Sequence, residues 1–229
     1  MLNHIGFIVD GNRRWARANG VSIYQGHKRG FEVLKDMAYA VQERGIPYTS
    51  AFIFSTENWN RTPQEVADLM SLFRKGFKDE LNQMIADNFR IIFLGRQNKV
   101  PADILDEMSI AEEKSLGNTG TTLALCFNYG GQAEIVDAAR HLAADVQAGR
   151  ASLADMDETK FRNYLYHPEL PDLDMLVRTS GEQRISGFQL WRSAYTEMMW
   201  LDKNWPDITA EDLDAVIAEY NRRHRRFGK

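Results

Sequence analysis

The sequence predicts an α/β fold: a single domain over residues 1–229, with a central, mostly parallel six-stranded sheet flanked by helices. Three observations predict it. Short apolar runs rich in β-branched and aromatic residues alternate with stretches of helical periodicity, the pattern of strands joined by crossover helices. No Pro/Ser-rich linker, internal repeat or low-complexity tract divides the chain. The polar residues that stand out follow directly after apolar runs, where a parallel sheet gathers its ligands.

Taken in order, "HIGFIV" (4–9) reads as a buried strand that stops at Asp10-Gly11, with a helix beginning in "NRRWARANG". A helical stretch near 26–44 leads to the strand "YTSAFIF" (48–54). The clearest helix is 63–86, where Val66, Leu69, Met70, Phe73, Phe77, Leu81, Met84 and Ile85 keep i, i+3, i+4 spacing. Thr62 and Pro63 supply its cap and first residue. The strand "FRIIFL" (89–94), a helix at 101–116, the strand "TTLALCF" (121–127) and a helix at 131–147 follow. Strands at "LDMLV" (173–177) and "TEMMWL" (196–201) and a helix at 209–226 complete the pattern.

Apolar content is ordinary for a globular chain, so a large core forms without disulfide or metal staples. The lone Cys126 lies inside an apolar run and reads as a small core residue. The opening "MLNHIGF" has no basic-plus-apolar leader pattern and no run reaches membrane-span length, so a cytoplasmic location is expected. A net charge of −4 argues against electrostatic nucleic-acid binding. Yet arginines cluster at Arg13, Arg14 and Arg17, at Arg178 and Arg184, and at Arg222, Arg223, Arg225 and Arg226. Local cationic pockets in a mildly acidic chain suit small anions. The last cluster also reads as a solvated helix end.

Each strand end has a functional and an ordinary reading. In "DGNRRW", Gly11 permits close backbone approach and the following helix offers free N–H groups to an anion. Arg14 adds a bidentate hold on phosphate, and Asp10 suits a divalent cation. The same residues also make a plain Asp-Gly turn with solvated arginines. In "FSTENWNR", Ser55 and Asn58 serve equally as helix caps, while Trp59 and Arg61 are harder to assign to a turn. "NYGG" (128–131) decides nothing. In "RTSGEQRISGF" (178–188), Arg178 and Arg184 flank Ser180, Glu182 and Ser186, a cradle for a second phosphate group. Glu197 stands alone in an apolar run, as a salt-bridge partner or a metal ligand, and His27 is equally open. Together these ends point to two phosphate-bearing ligands and a divalent cation.

"HIGFIVDGNRRWA", "GHKRG", "FSTENWNR", "NYGG", "RTSGEQRISGFQLW" and "WPDI" stand in the order and spacing of the cis-prenyltransferases, and the chain resembles that family over nearly its whole length. The resemblance implies a magnesium-dependent enzyme that condenses isopentenyl diphosphate with an allylic prenyl diphosphate, forming Z double bonds. Its expected product is the precursor of an undecaprenyl-type carrier lipid. It further implies a homodimer, an apolar tunnel for the growing chain, no nucleic-acid partner, and transient membrane contact through the lipid product.

Carried over by motif, Asp10 is the essential acid and Mg²⁺ ligand, with Glu197 as a second metal-side carboxylate. Gly11, Asn12, Arg13, Arg14 and Trp15 line the allylic diphosphate site, beside His27. Ser55, Asn58 and Arg61 act in catalysis and placement, and Trp59 in binding. Arg178, Arg184 and Ser186 hold the isopentenyl diphosphate. The chain also departs from the family. Ile23 stands where relatives often carry an arginine four residues before the histidine. Arg13 replaces a common glycine and Ile53 a common alanine. Bulkier tunnel walls shorten the product, which keeps open a short-chain (C10–C20) or irregular prenyl diphosphate synthase. A non-catalytic partner subunit is a more distant alternative, since such subunits lose the first-motif Asp that this chain retains.

Overall fold

The structure is a computed structural model describing residues 2–223. Six strands form one sheet: β1 (His4–Ile8), β2 (Tyr48–Ser55), β3 (Arg90–Leu94), β4 (Thr122–Tyr129), β5 (Met175–Arg178) and β6 (Glu197–Trp200). Their order is β3-β4-β2-β1-β5-β6, and every adjacent pair is parallel. The sheet is therefore wholly parallel rather than mostly so, and the segment 196–201 supplies its edge strand.

Seven helices connect or flank the strands: α1 (Asn12–Ala18), α2 (Ile23–Glu43), α3 (Pro63–Ala86), α4 (Ala102–Lys114), α5 (Gly131–Gln147), α6 (Glu158–Arg162) and α7 (Ala210–Arg222). α2 starts three residues earlier than its apolar periodicity suggests, because Ser22 and Gln25 form a capping box: Gln25 N–H donates to Ser22 Oγ at 3.2 Å, and Ser22 N–H to Gln25 Oε1 at 2.9 Å. α3 begins as expected, with Pro63 in its first turn and Thr62 Oγ1 accepting from the Glu65 N–H. The short α6 carries no apolar periodicity, so no sequence pattern predicts it. The last part of the 209–226 helix, including Arg225 and Arg226, lies outside the described residues.

Strand periodicity divides the core in two. Along β4, Leu123, Leu125 and Phe127 join the larger cluster, while Ala124 and Cys126 join the smaller one on the opposite face. Cys126 is fully buried, as expected of a core residue, and burial pushes its thiol up to about 12. On the larger face, α3 delivers Phe73 and Phe77 into an aromatic cluster with Phe54, Phe93 and Phe127. The Phe73 and Phe127 rings meet edge-to-face at 4.9 Å. Among the described residues no helix is long and apolar enough to cross a membrane.

The topology positions the site. From β1 the chain moves to β2 on one side. After β4 it crosses to β5 on the other, so β1 is flanked by strands reached in opposite directions. That reversal leaves a crevice outside the carboxyl ends of β1 and its neighbours.

Candidate active site

A cleft of about 570 Å³ opens at that crevice, lined by residues following β1, β2 and β5. Ile8 and Arg178 are register partners, so the end of β5 stands beside the turn after β1. Arg178, buried, directs Nη2 and Nε onto Asp10 Oδ2 at 2.7 and 2.9 Å. Its Nη1 donates to Ser186 Oγ at 2.8 Å and to the Arg184 carbonyl. Every nitrogen of this guanidinium is thus engaged. The Asp10 main chain is fixed as well, its carbonyl accepting from Trp205 N–H at 2.9 Å and Thr179 Oγ1 at 2.6 Å. The Asp10 side chain itself is 41% exposed toward the cleft.

Gly11 makes the turn from β1 into α1. Its φ is +108°, and a Cβ there would lie 2.6 Å from Asn204 Oδ1 and 2.9 Å from Asn204 Cα. Only glycine fits. Two further glycines let α1 settle on α2: Cβ atoms at Gly26 and Gly30 would strike the Asn12 carbonyl at 2.4 Å and Asn12 Oδ1 at 2.0 Å. Asn12 Nδ2 donates to the Val9 carbonyl at 3.1 Å, but its Oδ1 is buried without a partner.

Across the cleft, Asn58 Oδ1 accepts from the Ser55 N–H at 3.0 Å, which closes the turn Thr56–Asn60 after β2. Arg61 donates to Glu65 Oε1 at 2.9 Å. Arg13 approaches the other Glu65 oxygen at 3.9 Å, and His27 Nε2 lies 3.8 Å from the first. Nearly buried, Glu65 gathers the two arginines and the imidazole around it. His27 Nε2 has no hydrogen-bond partner. Burial, reinforced by the Arg61 and Arg13 charges, lowers its pKa to about 4, so the imidazole is neutral near pH 7.

At the mouth, Arg14 Nη1 donates to Ser180 Oγ and the Ser180 carbonyl, both at 2.6 Å. Glu182 pairs with both Arg14 and Arg184. These two arginines are more than half exposed, unlike Arg178. The cleft wall as a whole carries five arginines and three carboxylates. Such an excess of forked cations over carboxylates suits a phosphate-bearing anion.

Of the residues singled out in the sequence, Asp10, Gly11, Asn12, Arg13, Arg14, His27, Ser55, Asn58, Arg61, Arg178, Arg184 and Ser186 line this one cleft. Three do not. Trp15 points away, its Nε1 donating to Asp207 Oδ1 at 2.7 Å. Trp59 packs edge-to-face on Phe54 at 4.9 Å and donates to Asn128 Oδ1 at 2.7 Å, which makes it a wall of the core. Glu197 opens β6, level with Met175 and hence with Ile5, whereas Asp10 follows the far end of β1. The rest of β1 and the turn at Val9–Asp10 separate those levels. Glu197 pairs with Arg223 at 3.0 Å rather than facing the cleft.

Among the described residues no three His, Cys, Asp or Glu side chains converge as a resident metal site. Mg²⁺ in phosphate chemistry takes one or two carboxylates and completes its shell with phosphate oxygens and water. Asp10, anchored yet open to the cleft, fits a cation that arrives with a phosphate ligand. Sequence reasoning missed Glu65, because Thr62-x-x-Glu65 reads as a helix cap while the carboxylate turns to the arginines. It also missed Asn204, whose contact with Gly11 no local pattern reveals.

Residues 8–228 match the family model Prenyltransf, described as "Putative undecaprenyl diphosphate synthase". The chain is 44% identical to Isoprenyl transferase 2 of Corynebacterium glutamicum, over 98% of its own length and 93% of that protein. It is 43% identical to the trans,polycis-polyprenyl diphosphate synthase ((2Z,6E)-farnesyl diphosphate specific) of Thermobifida fusca, over 98% of this chain and 80% of that one. The crystal structure of lavandulyl diphosphate synthase from Lavandula x intermedia, in complex with dimethylallyl diphosphate, superimposes with a TM-score of 0.96 at 33% identity. That match covers 100% of this chain and 98% of the plant one.

Proposed function

The chain belongs to the undecaprenyl diphosphate synthase family of prenyl-transferring enzymes, and from that premise we propose that it joins isopentenyl diphosphate to an allylic prenyl diphosphate, with Mg²⁺, to give a short Z-prenyl diphosphate (C10–C20). The observation that carries the reading is the cleft itself: Asp10 held open by buried Arg178, beside the exposed pair Arg14 and Arg184. Glu182 pairs with both exposed arginines, and a diphosphate offers them a stronger bidentate partner. Gly11 lets the backbone approach the allylic diphosphate, and neutral His27 offers Nε2 as a hydrogen-bonding group beside it.

The reaction breaks an allylic C–O bond, leaving a carbon cation while negative charge collects on the departing diphosphate. Asp10 would hold Mg²⁺, and the bound ion would supply neutralisation of that charge. The arginines, fixed before the reaction, stabilise the same charge without reorganising. The isopentenyl alkene then forms the new C–C bond, and the proton lost from it goes to the released diphosphate or through Ser55, whose N–H is tied to Asn58.

A short product, rather than the long carrier-lipid precursor, is supported by the space beneath the cleft. Where a tunnel is expected, the structure has two small apolar cavities of about 40 and 20 Å³ between α2, α3 and β2. A homodimer, and membrane contact through the product, belong to the same proposal on the ground of the family resemblance. A second reading, irregular coupling of two dimethylallyl units, is favoured by Ile23 at the usual arginine position and by the close fit to the lavandulyl diphosphate synthase.

Labelled isopentenyl diphosphate with C5, C10 or C15 allylic primers and Mg²⁺ tests the proposal. C10–C20 products with a new Z double bond are expected. No incorporation with any primer overturns it, and product from dimethylallyl diphosphate alone selects the second reading.

A further inference from the structure

Three spaces lie in line beneath the mouth of the cleft. The cleft shares Val9, His27, Ile53 and Leu69 with the first small cavity. The first cavity shares Phe31, Leu34 and Ile53 with the second. Helix register follows the same line. α3 offers Leu69, Leu72 and Phe73 to the first cavity and Phe77, Leu81 and Met84 to the second. Leu69 and Met84 are fifteen residues apart on one helix, about 22 Å along its axis. Between the two sets stands Gly76.

Gly76 has no side chain to fill its place, and Phe31 fills it from α2. A Cβ on Gly76 would fall 2.2 Å from Phe31 Cζ, and 2.7 and 2.8 Å from the two Cε atoms. The ring therefore spans the gap between the helices and rests on the α3 backbone. Ile53, on the sheet side, completes the partition. At roughly 10–15 Å³ of such volume per water-sized group, the upper cavity holds about three such groups and the lower about one. A five-carbon isoprene unit exceeds either. The two cavities meet at Phe31, Leu34 and Ile53, and among these Phe31 rests on the α3 backbone at Gly76.

We propose that Phe31, seated on Gly76, is the stop that sets product length. This rests on the short-product reading above and names the residue pair responsible. A chain growing from the cleft meets the Phe31 ring before it reaches the cavity lined by Leu81 and Met84, and further addition requires that ring to leave Gly76.

The test is the product distribution of the purified enzyme with labelled isopentenyl diphosphate, an allylic primer and Mg²⁺, with melting temperature read in parallel. Phe31→Ala is expected to lengthen the main product by at least one isoprene unit. Refilling the space from the opposite helix, Gly76→Leu in the Phe31→Ala background, is expected to return it toward the parent length. Phe31→Leu gives a smaller shift in the same direction and keeps the test open if the alanine variant unfolds. A short parent product that neither Phe31→Ala nor Phe31→Leu changes overturns the assignment and leaves the short-product reading standing. A long parent product overturns the reading itself.

Discussion

Two buried arginines stand on opposite terms with their surroundings. Arg192 and Glu134 are sealed from solvent, 0% and 1% exposed, and pair at 2.9 Å. The other Arg192 nitrogens donate to the carbonyls of Leu170, Tyr166 and His167, while Glu134 accepts from Tyr129 Oη and the Tyr166 N–H. This network is closed, ties α5 to the loops before β5 and after it, and has no capacity left for a ligand. Arg178 is nearly as buried and as fully used, but its partner Asp10 faces the cleft. The same residue types thus build a structural clamp in one place and a binding centre in the other. The difference lies in whether the carboxylate can still meet something new.

The histidines repeat the contrast. His4 is fully buried and satisfied on both sides, by Ser50 Oγ at 2.6 Å and the Pro171 carbonyl at 2.9 Å. His27 keeps an unpartnered Nε2 toward the cleft. One is satisfied by folding, the other is not.

The largest expected effect breaks the closed network. Arg192→Met strands the Glu134 carboxylate in the core and should cost about 3–5 kcal/mol by denaturant unfolding. The product length of the fraction that remains folded should stay that of the parent. A change in product length would show that the two networks are not separate.

A smaller effect sharpens the histidine comparison. Burial lowers both His4 and His27 to about 4, below the 6.5 of the unfolded chain. Between those values the unfolded state binds more protons, so stability rises with pH. Their contribution is complete above pH 6.5 and is lost progressively as pH falls toward 4. Each histidine adds at most about 1.4 kcal/mol per pH unit within that window. Unfolding measured from pH 6.5 down to 5 should show this slope, and His27→Asn should remove about half of the histidine share. An unchanged slope in that variant would mean His27 is not buried neutral.

The sheet was legible because its signal is local and repeated. Apolar runs at β1 to β5 are bounded by polar turns, and α3 carries a long periodic stripe. The cleft was legible because a parallel sheet turns sequence position, just after a strand, into spatial proximity. Asp10, Ser55 and Arg178 meet for that reason alone. The same rule explains Glu197: it begins its strand, so parallel pairing carries it to the other end. Trp15 and Trp59 look alike in sequence to residues that face a ligand, and only tertiary packing shows that they bond to Asp207 and Asn128. The Phe31–Gly76 contact joins positions 45 residues apart on two helices. No pattern within either helix announces it.

The open carboxylate of Asp10 is proposed to serve the transfer of the prenyl group. Asp10→Asn tests it most directly, because the amide keeps the shape and can still accept from Arg178 while losing the charge. Turnover at saturating Mg²⁺ and substrates is predicted to fall by about 10²–10³-fold, the scale at which a preorganised electrostatic group acts, with the melting temperature close to that of the parent. Parent-like turnover in the folded variant would contradict the claim.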